Sequence, residues 1–445
     1  MGEAAKISLK AIGKQDTHLL SKDPEDSFFN SKNMTRHSDF RKYHRSRNVI
    51  NPGQVPNWPF SQTIKVEFNP RNMGDLLSNM WLSITMPGIS DGNYADQLGR
   101  HILKSITMYV DEIEVEKIHD DWGIIYDELY LEMSEKVANR FLINRNLGYD
   151  DSTIDTAIAQ YSSDLVIPLH FFFSRKFASD EYSSNKPNRP YFPVCAVHRQ
   201  KIVFELEFHK QSFFTDTTDV LELGEFRLIT EEITVVPEER RYFANERQTL
   251  ITDLVRKHPT TVSEIGVDSI RTNLVPNIPV KCIHWFLRNT QFEDEDVSIG
   301  DATSEETHYC QNRFNFSSNV NFDETQTFFE PIMDNASFYI NGNKLPNVSK
   351  TTHNYYKYLI PFRNRLARPY RNVYTYSFSM NPVNVEPSGN LDFSQIQSDK
   401  TSIEVKLDTS ENSLVDVNTK TYSLQMYYTG YQTFVFDKGF MSIAY

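Results

Sequence analysis

Cysteine is scarce: Cys195, Cys282 and Cys310 are the only three in 445 residues, and no two stand at a paired spacing. That argues against a disulfide framework and a closely spaced thiolate metal site, and it fits a reducing compartment. Each reads as a small buried hydrophobe. No run approaches the ~20 consecutive apolar residues of a membrane helix. The first twenty residues mix Lys6, Lys10, Lys14 and Asp16 with isolated apolar residues, so no secretory signal is expected and synthesis is expected in the cytosol. Positive charge is in deficit: 46 Lys and Arg against 59 Asp and Glu leave a net charge of −13. Such a surface suits solubility and not a phosphate-backbone binder, so no sequence-specific nucleic-acid partner is expected.

Catalytic signatures are also missing. There is no Gly-rich phosphate loop ending in Lys-Ser/Thr, no dinucleotide fingerprint, no His-Glu-x-x-His and no Gly-x-Ser-x-Gly elbow. The acidic run Glu293-Asp294-Glu295-Asp296 is the one candidate cation site, and a solvated loop explains it more simply. His170 lies inside an aromatic strand and His284 beside Trp285, so both read as core residues. Carboxylate pairs of the glycosidase kind cannot be set at a distance by sequence alone. The expectation is a protein that is not an enzyme, with no catalytic, cofactor-binding or metal residues. Asn33, Asn315, Asn335 and Asn347 open Asn-x-Ser/Thr matches, which read as chance in an Asn-rich chain.

What is present is aromatic: 31 Phe and 23 Tyr, with 20 Pro and 16 Gly as punctuation. Aromatic and β-branched residues favour pleated, half-buried surfaces. Gln62–Phe68 alternates, with Ile64, Val66 and Phe68 on one face. Met80–Met86 follows, then Ile106–Val110 with Ile113 and Val115 beyond an acidic turn, a hairpin or two successive strands. Leu165–Phe173 reads as a buried strand, and Lys201–Phe208 alternates again. Residues 120–146 alone sustain helical spacing, through Trp122, Tyr126, Leu129, Leu131, Met133, Val137 and Phe141. Stretches 147–163, 178–190 and 290–327 are polar and read as surface loops. Further strands are expected at Glu225–Val236, Val280–Leu287, Ala336–Ile340, Tyr358–Phe362, Val373–Met380, Ser402–Leu407 and Tyr422–Tyr428.

Two halves echo each other at an offset of roughly 200 residues, the size of one sandwich domain. Val166-Ile-Pro-Leu-His-Phe171 resembles Leu359-Ile-Pro-Phe362. Lys201–Leu206 resembles Ser402–Leu407, and Ser105–Asp111 resembles Ser337–Gly342. The expected fold is all-β: two tandem eight-stranded jelly-roll β-sandwiches with long loops and a few short helices. The expected divisions are an N-terminal arm and entry segment at 1–60, a first jelly roll at 61–224 and a second at 225–445. Within the arm, Lys32, Arg36, His37, Arg41, Lys42, His44, Arg45 and Arg47 form a basic cluster. It reads either as a solvated arm or as one lying on a neighbouring subunit, a membrane or nucleic acid.

Val373–Ser394 carries a Tyr-Ser-Phe strand, then Pro387-Ser388-Gly389, a short spacer and Phe393-Ser394. This stretch resembles the major capsid proteins of nucleocytoplasmic large DNA viruses. The family's pattern is Gln-Pro-Ser-Gly-Thr and then Asn-Phe-Ser-Arg; here Glu386, Asn390, Asp392 and Gln395 depart from it. Gly13–Asp16 with Phe28-Phe29, Ile167-Pro-Leu169 with Phe171–Phe173 and Arg175, Glu239–Phe243, Pro279–Lys281 with Trp285, and Asn341-Gly342 also resemble family segments, in order along nearly the whole chain.

The resemblance implies a structural virion protein. Three copies would form a capsomer of pseudo-hexagonal outline that tiles an icosahedral shell, with loops outward and the arm inward. The implied partners are further copies, neighbouring capsomers, minor capsid and penton proteins, and an inner membrane under the arm. Assembly in the host cytoplasm is implied too. A divergent minor capsid paralogue and a lectin-like attachment module are the rival readings. Pro387-Ser388-Gly389 is turn chemistry, because Pro fixes φ and Gly permits positive φ. Gly389→Val should therefore impair folding or assembly, read as soluble yield and particle mass; a normally assembled variant would refute this.

Overall fold

The computed structural model describes residues 39–49, 59–91, 94–95, 97–143, 162–175, 191–215, 217–293, 313–318, 330–348, 351–383 and 387–444. Parts of the expected arm, of the loops at 147–163, 178–190 and 290–327, and of the Gly13–Asp16 and Phe28-Phe29 motifs lie outside these residues.

The first half supplies eight strands: β1 (Phe40–Asn48), β2 (Thr63–Phe68), β3 (Leu76–Met86), β4 (Leu103–Val110), β5 (Ile113–His119), β6 (Ser163–Pro168), β7 (Ile202–Phe208) and β8 (Phe226–Val235). They form two four-stranded sheets, ordered β1-β8-β3-β6 and β2-β7-β4-β5, and every pairing is antiparallel. Each sheet thus interleaves early and late strands, with β1 beside β8, β2 beside β7, β3 beside β6 and β4 beside β5. That nested order is a jelly roll. Alternation produces it locally: in β7, Ile202, Phe204, Leu206 and Phe208 are buried while the residues between them are partly exposed.

The second half repeats the order. It contains β9 (Gln248–Lys257), β10 (Thr261–Val262), β11 (Ser269–Asn273), β12 (Pro279–Asn289), β13 (Met333–Ile340), β14 (Asn343–Leu345), β15 (Tyr374–Ser377), β16 (Leu391–Asp392), β17 (Ser402–Leu407), β18 (Tyr422–Asp437) and β19 (Phe440–Ala444). One sheet runs β9-β18-β12-β15, with β10, β16 and β19 added at its margins; the other runs β11-β17-β13-β14. In both halves the β4–β5 type of hairpin turns through two residues. The first of these has left-handed φ, Asp111 at 52° and Asn341 at 50°, and short polar side chains tolerate that region.

Helices fill the connections. They are α1 (Leu98–Ile102), α2 (Asp120–Leu129), α3 (Met133–Ile143), α4 (Pro237–Asn245) and α5 (Ile360–Arg363), the last preceded by a π-helical turn at Tyr355–Leu359. The single helix expected over 120–146 is two, α2 and α3, broken around Tyr130–Glu132.

Three expectations are corrected. Glu225–Val236 does not open the second half, because β8 pairs with β1 and β3 and closes the first jelly roll. Residues 1–60 are not all arm, since β1 is a strand of that same sheet. Tyr358–Phe362 is helical, so its echo of Val166–Phe171 is coincidental. The other two echoes fall on topologically equivalent strands, β7 with β17 and β4 with β13.

Strand β1 also explains half of the basic cluster. Glu232 is fully buried and accepts hydrogen bonds from Arg47 Nη2 at 3.0 Å and Gly74 N at 2.6 Å, while Arg45 lies 3.5 Å away. Glu231 faces Lys42 and His44, each at 3.3 Å. Burying adjacent carboxylates on β8 requires countercharge, and β1 provides it. Deleting residues 1–48 should therefore strip a strand and leave Glu231 and Glu232 unneutralised. The thermal midpoint should fall by several degrees, and an unchanged midpoint would contradict the assignment.

Candidate functional site

The two halves meet along a buried seam, and the side chains that build it come from a few elements. Helix α2 follows β5 directly and is buried along its whole length. Four of its ten residues are carboxylates, Asp120, Asp121, Asp127 and Glu128. Buried charges need paired partners, and each has one. Asp120 Oδ2 lies 3.1 Å from His209 Nε2 and 3.4 Å from Arg313 Nη2. Asp121 binds Arg288, whose side chain is fully buried, with Lys257 at 3.9 Å. Asp127 takes a two-pronged contact from Arg100, at 2.9 and 3.0 Å. Glu128 accepts the Tyr370 N–H at 2.8 Å and lies 3.5 Å from both Lys136 and Arg371. Arg288, Arg313, Tyr370 and Arg371 belong to the second half, so α2 ties the halves together.

A second knot sits on β5. Glu116 is fully buried and accepts from Arg175 Nη2, from Phe172 N at 2.9 Å and from Val255 N at 3.0 Å. Arg175 also donates to the carbonyls of His170, at 3.0 Å, and Asp253, at 2.9 Å. Phe172 and Arg175 are first-half residues; Val255 and Asp253 lie on β9. One ion pair therefore holds three segments in a single register.

The electrostatics agree with this packing. Burial works against the charged form of Asp127, but the neighbouring Arg100 outweighs it and the pKa is lowered. Burial likewise opposes the Arg175 cation, and Glu116 and Asp253 reverse the effect. Burial pushes the pKa of His170 down to about 4 and that of His284 to about 3. Both are neutral at ordinary pH, and His170 Nε2 accepts from Arg100 at 2.9 Å. Gly123 on α2 is required by close approach: a Cβ there would meet Arg100 Cδ at 2.9 Å.

Aromatic rings complete the seam. Phe172 meets Phe434, Phe192 meets Phe436, and Trp122 meets Tyr427, at centroid distances of 5.7, 6.0 and 6.0 Å. Tyr130 Oη lies 3.1 Å from His284 Nε2. Strand β12 lies between two interiors. Ile283, Trp285 and Leu287 enter the second half's core, while His284, Phe286 and Arg288 face the seam.

The residues singled out in the sequence are placed as follows. His170 stacks on Tyr126 with ring centroids 4.0 Å apart. Cys195 and Cys282 are buried free thiols, their pKa values raised by burial, and Cys310 lies outside the described residues. Glu293 accepts from Ser423 and Gln425, while Asp294–Asp296 lie outside the described residues. Among the described residues no group of three or more His, Cys, Asp or Glu is placed to hold a metal ion. Asn315 is buried and Asn335 partly buried. Gly389 has φ of 121°, and Ser388 both donates to Asn381 O and accepts from Asn381 N at 3.0 Å, closing the loop between them. Arg175, quoted above only for its resemblance, proves central. The charged face of α2 was not singled out, although four carboxylates inside an apolar helical pattern were a signal for it.

Arg175→Met should leave the Glu116 carboxylate buried without its cation, at a cost of about 3–5 kcal/mol. Adding Glu116→Gln should recover part of that loss. Urea unfolding of the single and double variants checks this, and a single variant as stable as the parent would exclude the role.

Comparison with known proteins gives these residues a context. Residues 39–231 match the family model described as the major capsid protein N-terminus, and residues 239–442 match that of the large eukaryotic DNA virus major capsid protein. The join between the two matches falls beside the end of β8. The major capsid protein of Pyramimonas orientalis virus is 22% identical over 88% of this chain and 89% of its own length. That of Paramecium bursaria Chlorella virus 1 is 21% identical over 98% of each chain. The solved VP54 structure of PBCV-1 superposes with a TM-score of 0.70 at 17% identity, over 92% of this chain and 98% of that one. These relatives are structural shell proteins and not enzymes, and with both halves matched in order the chain belongs to the major capsid protein family of the large eukaryotic DNA viruses.

Proposed function

We propose that this chain is the repeating subunit of an icosahedral shell, working as a trimeric capsomer of pseudo-hexagonal outline. The observation that carries the reading is the repeated strand order in two halves locked together by the α2 and Glu116–Arg175 contacts. One copy offers two like sandwiches in a fixed relation, so three copies offer six, which is the valence a hexagonal lattice needs. Rigidity matters because a hinge between the halves would let that outline deform, and opening the seam would separate buried ion pairs, which opposes hinge motion. Domain boundaries near Val235 and Gln248, with α4 bridging the two jelly rolls, fit this plan.

The partners follow from the same reading. They are further copies of the chain, neighbouring capsomers, and minor capsid and penton proteins at the edges of the lattice. The virion is the final location, with assembly in the host cytoplasm. Contact with an inner membrane falls to the residues before β1, because Arg45 and Arg47 already serve Glu232. The purified chain should have three times the chain mass by light scattering and a hexagonal outline in negative stain. A stable monomer at micromolar concentration would remove the trimer from the proposal.

A further inference from the structure

Large apolar side chains are exposed in two groupings among the described residues, Val262, Ile265 and Val267 in one and helix α3 in the other, and only α3 presents them on a regular face. On α3, Met133, Val137 and Phe141 recur every four residues, so they form one stripe, and each is more than half exposed. The opposite face of α3 is anchored, with Ile143 buried and Lys136 donating to the carbonyls of Glu128, at 2.6 Å, and Arg368, at 2.8 Å. The Tyr370 hydroxyl lies 3.0 Å from the Met133 sulfur, and Arg368 covers the Tyr358 ring at 5.5 Å. These contacts set α3 beside the segment 355–371, on which Leu359 is 45% and Phe362 82% exposed. The second half thus extends the patch that the first half begins.

The two contributors are topologically equivalent. Helix α3 lies in the connection from β5 to β6, and segment 355–363 in the connection from β14 to β15. These are the same connection in the two jelly rolls. A body covering the patch therefore grips both rolls across their junction.

We propose that this stripe, with Leu359 and Phe362, is the face by which one copy of the chain docks onto a second copy. The inference rests on the trimer reading and names its contact. Charge selects the occupant. Of the cations in 355–371, Arg363, Arg365 and Arg368 are exposed while Lys357 and Arg371 are buried; α3 and its approach add Arg140 against Glu132 and Glu135, so the patch is net positive whereas the whole chain has a net charge of −13. Arg363 and Arg368 are exposed at the patch. An apolar centre with a basic rim fits an acidic protein partner, and another copy of this chain is such a partner. Closing a ring of three needs a heterologous contact, in which the patch meets a different face of the next copy. A basic patch against an acidic face satisfies that requirement, while two basic patches facing each other would repel.

The test uses the full chain. Val137→Glu with Phe141→Glu, and separately Phe362→Glu, place charge at exposed positions, so thermal unfolding of the dissociated chain should stay as in the parent. The parent mass should be three chains, and each variant should fall threefold to one. Arg363→Glu should instead slow reassembly after dilution and flatten its dependence on salt. Variants that remain trimeric would overturn the patch and leave the trimer standing. A parent oligomer of another size that the substitutions still dissociate would keep the patch and discard the threefold reading. A monomeric parent overturns both. Binding of the parent to phosphatidylserine vesicles, lost in the variants with particle mass unchanged, would overturn it in favour of a membrane surface.

Discussion

The contact between Glu116 and Arg175 is the constraint on which the rest depends. Neither side chain reaches water, so the ion pair is tolerable only with its remaining hydrogen-bonding capacity used. That capacity is met by backbone: the carboxylate takes the N–H groups of Phe172 and Val255, and the guanidinium takes the carbonyls of His170 and Asp253. A buried pair of this kind contributes little net stability compared with apolar residues of the same shape. What it supplies is a single arrangement. A small slip of β9 past β5 would leave buried donors and acceptors unpaired, at about 1–3 kcal/mol each. The two halves are thereby held to one relative position.

Helix α2 extends this logic by using both of its ends. Asp120 and Asp121 stand in its first turn, where the helix dipole favours negative charge. Asp127 and Glu128 stand near its end, where the dipole opposes them. Cations are needed there all the more, and Arg100 meets Asp127 while Lys136 and Arg371 meet Glu128; the first-turn pair, being buried too, has Arg313 and Arg288. Arg100 can approach because Gly123 leaves room for its stem. The helix is a charged wedge whose partners come from α1, from α3 and from the second half, so its placement requires all of them.

Most of the fold was legible because a strand with one wet face leaves a period of two in its sequence. Lys201–Phe208 and Ser402–Leu407 were readable down to their faces and nearly to their ends. What failed was information that alternation does not contain. The pattern of β8 does not say which strands it joins, so its position next to the second half misled. A short apolar run is shared by strands and buried helices, and Tyr358–Phe362 went the wrong way for that reason. Strand β1 was hidden by its own chemistry, since Lys42, His44, Arg45 and Arg47 look solvated until Glu231 and Glu232 are seen beneath them. The seam was invisible for a related reason: its pairs join residues far apart in the chain, 167 positions for Arg288 with Asp121 and 242 for Tyr370 with Glu128.

One asymmetry could have been read and carries the architecture. Strands β8 and β18 hold the same place in the two jelly rolls, yet β8 contains Arg227, Glu231 and Glu232, while Tyr422–Phe436 has neither a carboxylate nor a basic residue. In β8 the two carboxylates are buried and matched by cations on β1; β18, buried between the two halves, carries no charge over Tyr422–Phe436 and reads as a continuous run. In β18, Leu424, Met426 and Tyr428 enter the second core, while Tyr427, Phe434 and Phe436 join the first half's interior. The missing alternation therefore marks which sheet of which half is pressed against its neighbour. Where β12 keeps charge on the face toward the seam, as at Arg288, the other half must supply the counterion, and Asp121 does so.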